Sequence, residues 1–108
     1  MLIDSNFYLL CSDLCQIEDN VMIADNVSIR CNNHTISGIV RSQPMKIGKI
    51  IIEKNVWIGR GVFIQGGNKI IKIGRDSIIG ANSFVKESVK PFSIVVGNPA
   101  KLIKIRKK

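Results

Sequence analysis

Aliphatic residues recur every six positions through most of this chain. Ile17, Ile23 and Ile29, then Ile52, Ile58 and Ile64, then Ile73, Ile79 and Val85 each lead a block, and four residues after each lead stand Val21, Val27, Asn33, Val56, Val62, Asn68, Ser77, Ser83 and Val89. Internal repetition of this kind constrains a fold more than any local propensity does. A helix drifts out of phase with a period of six within two blocks, and a flat strand would make every second residue apolar rather than two in six. Short strands separated by turns satisfy it. The residue after the lead is often small or acidic, as at Glu18, Ala24, Gly59, Gly74 and Gly80, and glycine there predicts a turn conformation closed to other residues. Three strands then close one triangular coil, and coils stack around an interior ladder of Ile and Val. The expected class is all-β, a parallel β-helix in a single domain over residues 1–108.

The phase fails after Ile29. Residues 35–49 hold Gly38, Pro44 and Gly48 without the repeat, which predicts an excursion loop, the kind of place where function concentrates on a rigid scaffold. A smaller break at Gly66-Gly67-Asn68-Lys69 reads as a surface turn. Met1–Leu10 is expected to supply a strand covering the first coil. Pro91 ends the last coil, and residues 91–108 form a capping tail in which Leu102, Ile103 and Ile105 alternate with Lys101, Lys104 and Arg106, as a final strand or a short helix would.

The formal charge of +8 is unevenly placed. Residues 1–45 carry five acids against Arg30 and Arg41, a net −3, whereas residues 46–108 carry fourteen bases against three acids, a net +11. A half so basic predicts an anionic ligand. Nucleic acid is not the expected one, because six aromatics and no basic helix give no binding pattern for it. No apolar run is long enough to span a bilayer, and Met1–Cys11 carries Asp4 and lacks a basic start, so neither membrane nor secretory leader is expected and the default location is the cytoplasm.

Three cysteines do not make a disulfide framework. Cys11 and Cys15 fall in phase with the inward positions, which predicts small core thiols. Cys11, Cys15, Cys31 and His34 have zinc-like spacing, but Cys31 falls on an outward position, so no metal is expected. His34 is the only histidine, and hydrolysis at a three-histidine metal is excluded with it. A lone imidazole suits a general base near neutral pH. Neither Gly59-x-Gly61 nor Gly66-Gly67 completes a dinucleotide or P-loop fingerprint.

The blocks Ile52-Glu-Lys-Asn-Val-Trp, Ile58-Gly-Arg-Gly-Val-Phe, Ile73-Gly-Arg-Asp-Ser-Ile and Ile79-Gly-Ala-Asn-Ser-Phe, closing with Val96-Gly-Asn-Pro-Ala-Lys, resemble those of the hexapeptide-repeat acyltransferases over about residues 6–106. The combination of Asn55-Val-Trp-Ile-Gly with the closing motif is similar to the O-acetyltransferase branch, which includes galactoside, maltose and capsular or sialic-acid enzymes. The resemblance implies a left-handed coil, a homotrimer with sites between subunits, and acetyl-CoA as co-substrate for acetylation of a saccharide-type hydroxyl by direct transfer.

It also implies residue roles. His34, in Ile29-Arg-Cys-Asn-Asn-His-Thr-Ile, occupies the place of the catalytic base, although Asn32 and Asn33 stand where related enzymes often carry an acid. Trp57 matches a ring beside the thioester channel. Gly80, Ala81 and Ser83 would lie along the pantetheine arm, with Lys86, Lys101, Lys104 and Arg106 meeting the phosphates of coenzyme A. Asn6 and Asn33 are the candidate acceptor contacts. The alternative is a non-catalytic trimeric β-helix assembly module or a degenerate paralogue.

Overall fold

A computed structural model describes residues 2–3, 8–10, 15–30, 32–34, 45–47, 49–66 and 69–107, with side chains over 15–30, 49–66 and 69–107. Its strands follow the six-residue blocks. The first coil is β1 (Leu2–Ile3), β2 (Tyr8–Leu10) and β3 (Cys15–Ile17). The second begins with β4 (Met22–Ile23) and β5 (Ser28–Arg30), is interrupted by β6 (Asn32–His34) and β7 (Met45–Ile47), and closes with β8 (Lys49–Ile52). The third is β9 (Trp57–Ile58), β10 (Phe63–Gln65) and β11 (Ile70–Ile73). Then come β12 (Ile78–Ile79), β13 (Phe84–Val85), β14 (Ser93–Gly97) and β15 (Ala100–Ile105). There is no helix among the described residues, and so none long and apolar enough to cross a membrane.

Each solenoid strand from β1 to β14, the β6–β7 pair aside, pairs in parallel with the strand one coil away, which makes three walls. Wall A runs β1-β4-β9-β12-β14-β15, wall B β2-β5-β10-β13, and wall C β3-β8-β11. The register stacks the leads of every third block, Ile23, Ile58 and Ile79 with Val95 in wall A, Ile29, Ile64 and Val85 in wall B, and Ile17, Ile52 and Ile73 in wall C, where Val89, a second position by the six-residue count, takes the next place in the row. Nearly all are buried, together with Val21, Val27, Val56 and Val62 at the second positions. Full burial of one such side chain is worth roughly 1.5–3 kcal/mol. Ser77 and Ser83 take second positions near the C-terminal end, where hydroxyls are bonded rather than wasted. The Ser77 hydroxyl donates to the Lys90 carbonyl at 2.9 Å and accepts the Ser93 N–H at 3.1 Å.

The corners correct one expectation. Gly59, Gly74 and Gly80 do not carry the turn; positive φ falls two residues later, at Asn20, Asn26, Asn55, Gly61, Asp76 and Asn82. Asn, Asp and Gly are the residues that tolerate this left-handed region. The glycines are small for a different reason. A Cβ on Gly59 would lie 2.8 Å from the Ile79 carbonyl oxygen, and one on Gly80 would lie 2.5 Å from Cγ2 of Val96. The next coil passes directly over them. The acids at the same block position use that proximity: Glu18 accepts the Lys54 N–H at 3.2 Å and Glu53 the Arg75 N–H at 2.9 Å.

Three other expectations meet the structure. The opening segment forms two strands in two walls, β1 and β2, rather than one. The tail is a strand: β15 returns antiparallel to β14 through a turn with Gly97 at φ 113° and a cis Asn98–Pro99 peptide. Cys15 faces inward beside Ile50 and packs on the core, and burial pushes its thiol up to about 11. Cys11, Cys31, Asn68 and the stretch 35–44 lie outside the described residues.

Candidate functional site

The excursion is framed by an antiparallel hairpin. Asn32 pairs with Ile47, Asn33 with Lys46 and His34 with Met45. Because β5 belongs to wall B and β8 to wall C, the hairpin leaves and rejoins the solenoid at the B/C corner. The side chains of Asn33 and His34, and the whole of Asn6, lie outside the described residues.

Trp57 stands elsewhere. Strand β9 is in wall A, where the lead residue points inward and its predecessor outward, so Trp57 faces outside with half its surface exposed. One outward row runs Met22, Trp57, Ile78, Ile94 and Lys104, each directly paired with the next. Beside it Gly80 donates its N–H to the Val95 carbonyl at 2.8 Å, and Val96 pairs with Lys101. The outer face of wall A therefore gathers Trp57, Gly80, Lys101 and Lys104. It offers an apolar floor, in which the Val96 side chain covers Gly80, bounded by two ammonium groups. Such a surface can receive a long arm ending in phosphates.

The remaining cofactor candidates divide. Ala81 is exposed at the A/B corner, in the turn before Asn82. Lys86 is exposed beside the C-terminal end of the solenoid. Arg106 sits at the C/A corner, its Nη1 donating to the Asp76 carbonyl at 2.7 Å and its backbone N–H to the Phe92 carbonyl. Ser83 is buried, and its hydroxyl accepts the Gly97 N–H at 3.1 Å. It occupies an inward second position, so its side chain cannot reach a ligand on the outer face.

Arg60 was missed. It stands at the A/B corner with Ala81, its carbonyl accepting the Asn82 N–H at 2.7 Å, and its Nε lies 3.5 Å from an Asp25 carboxylate oxygen. No group of His, Cys, Asp or Glu among the described residues could hold a metal ion.

No protein-family model matches the chain. It is 37% identical over 89 residues to the galactoside O-acetyltransferase of Escherichia coli, an alignment that covers 82% of this chain and 42% of that protein. The structure superimposes on a hexapeptide-repeat acetyltransferase of Vibrio cholerae solved with acetyl coenzyme A, with a TM-score of 0.87 and 30% identity over 98% of this chain and 57% of the other. The chain belongs to the hexapeptide-repeat acetyltransferases. Its solenoid is the left-handed β-helix of that family. A Bacillus cereus N-acyltransferase, solved with a dTDP-amino sugar and coenzyme A, superimposes with a TM-score of 0.85 at 29% identity, over 98% of this chain and 60% of its own. Across the relatives matched by sequence, this hexapeptide-repeat chain spans between 28 and 44% of their length.

Proposed function

We propose that this chain transfers an acetyl group from acetyl-CoA directly to a hydroxyl of a saccharide-type acceptor, as part of a homotrimer. His34 takes the proton from the acceptor hydroxyl while its oxygen attacks the thioester carbonyl. The tetrahedral oxyanion meets backbone N–H groups, and its collapse breaks the C–S bond. The imidazolium then returns its proton to the departing thiolate, leaving coenzyme A, the ester and the neutral base. Trp57, Gly80, Lys101 and Lys104 hold the donor along wall A, with Ala81 and Arg106 at its margins, and Lys86, which stands between walls B and C, reaches it from the next subunit. Asn6 and Asn33 serve the acceptor.

One observation carries the reading. The hairpin bearing His34 is rooted at the B/C corner, and wall A is the side of the prism opposite that corner. Base and donor surface from one chain face apart, so an assembled site draws His34 from one subunit and Trp57 from the next. The coenzyme A complexes of the neighbouring structures support the donor. The galactoside enzyme supports the acceptor class.

Calorimetric titration with coenzyme A, followed by acetyl-transfer assays on His34→Ala, tests this. One saturable site per chain is expected, weakened by salt as a phosphate contact is. His34→Ala should keep coenzyme A affinity and lose at least about a hundredfold in transfer rate. Absence of coenzyme A binding in a confirmed trimer overturns the enzyme reading in favour of an assembly module.

A further inference from the structure

The C-terminal end of the solenoid is an unfinished coil. Strand β13 is the last in wall B, and beyond Val89 wall C has no further strand among the described residues, while wall A continues through β14 and β15. A cleft of about 230 Å³ opens there, lined by Val85, Val89, Val95, Ala100 and Leu102 on its apolar side. Small-molecule pockets start at about 300 Å³. The cleft suits one or two side chains instead.

Strand β15 makes one wall of that cleft. Residues directly opposite in an antiparallel pair share a face. Leu102 lies opposite inward Val95 and Ile105 opposite inward Ser93, whereas Lys101 and Lys104 lie opposite outward Val96 and Ile94. The inner face of β15 is thus apolar, and with nothing beneath it Leu102 and Ile105 stay 56% and 52% exposed. Among the described residues the far edge of β15 is unpaired in wall A, open to strand addition. The rim is cationic. Lys86, Glu87 and Lys90 line the cleft, but the Glu87 carboxylate is taken by Lys69 Nζ at 2.7 Å. No other carboxylate among the described residues pairs with Lys86 or Lys90.

We propose that this end binds an extended acidic peptide segment, which pairs with the free edge of β15 and sets alternate apolar side chains into the cleft against Leu102 and Val95. A second copy meeting end to end would bring Lys86, Lys90, Lys101 and Lys104 against their own duplicates, which charge repulsion opposes. Nucleic acid satisfies the lysines but fills neither the apolar cleft nor the strand edge. The site uses the inner face of β15 and shares only Lys86 with the acetyl-transfer reading, which uses the outer face.

The test is fluorescence anisotropy of a labelled Asp-Leu-Asp-Leu-Asp-Leu peptide titrated with the full chain, alongside a Lys-Leu counterpart and an Asp-Leu peptide N-methylated at alternate amides. Saturable binding of the Asp-Leu peptide alone is expected. Leu102→Asp should weaken it at least tenfold with unchanged circular dichroism, and Lys90→Glu should weaken it and flatten its salt dependence. Equal binding of the Lys-Leu or N-methylated peptide, or indifference to Leu102→Asp, overturns the proposal. So does displacement by a single-stranded oligonucleotide. Sedimentation that reveals Leu102-dependent self-association without peptide binding makes a second copy the occupant, and likewise overturns it.

Discussion

The Glu53 carboxylate accepts the backbone N–H of Arg75 at 2.9 Å, tying one coil to the corner of the next. Glu18 makes the same link to Lys54 one coil earlier. An amide at a turn has no strand partner, and a carboxylate is a strong acceptor for it. Glu53→Ala should lower stability by about 1 kcal/mol, a modest figure because the bond is exposed to water. Glu53→Gln should lose less, since an acceptor remains. The exposed Lys72 ammonium, 3.4 Å from the same carboxylate, should contribute almost nothing when removed. Midpoints of urea unfolding rank the three.

Two kinds of small residue occupy the blocks, and substitution should separate them. Gly59→Ala drives a Cβ toward the Ile79 carbonyl oxygen at 2.8 Å and the Ala81 nitrogen at 2.9 Å, both backbone atoms that cannot swing aside. A cost of about 1–3 kcal/mol is expected. Asn82, at φ 61°, should behave in the opposite way. Asn82→Gly should be near neutral, whereas Asn82→Ala should cost about 1 kcal/mol for a left-handed backbone with no compensating polar group. Thermal unfolding of the three variants decides between crowding and turn conformation at each site.

Burial holds the Cys15 thiol protonated, with its ionisation moved up to about 11. At neutral pH the native chain should resist iodoacetamide at Cys15 and react there readily in concentrated urea, as peptide mapping by mass spectrometry would report. The sign of the linkage follows from a raised folded-state value. The stabilisation is intact below the ordinary thiol range and is lost as pH rises from there toward 11, because only the unfolded chain ionises in that window. Cys15→Ser should flatten this alkaline loss.

Trp57 is the only tryptophan and half its surface is open, so its emission reports directly on wall A. Coenzyme A binding along that wall should shift the emission to shorter wavelength and change its intensity. Trp57→Ala should weaken coenzyme A binding by roughly tenfold, the loss expected of one sizeable aromatic contact. An emission spectrum indifferent to saturating coenzyme A would move the donor off wall A.

The repeat made the fold legible. Ile at a spacing of six states which side chains point inward, and the stacked rows of Ile23, Ile58 and Ile79 or of Ile17, Ile52 and Ile73 are that spacing wrapped around three walls. Glycine was harder to read. At Gly61 it serves a positive φ, and at Gly59 and Gly80 it clears space for a neighbouring coil, two demands that look alike in a sequence. The inward direction of Ser83 was hard to read for a related reason. A small polar residue near the end of a solenoid can sit inside when a backbone N–H from another coil, here that of Gly97, is there to meet it.

By itself the sequence determined which residues are core, that the core is a ladder, and that the second half of the chain is strongly basic. Those are consequences of periodicity and charge, which are properties of order along the chain. Only the tertiary structure decided which residues share a wall. Trp57 and Lys104 lie 47 positions apart in sequence yet occupy one outward row, while the hairpin bearing His34 and the strand bearing Trp57 fall on opposite sides of the prism. It also decided that β15 turns back on β14 and leaves Leu102 over an open cleft. Such relations depend on how many residues each coil takes to close and on where the chain reverses, and neither is fixed by the identity of the residues that end up side by side.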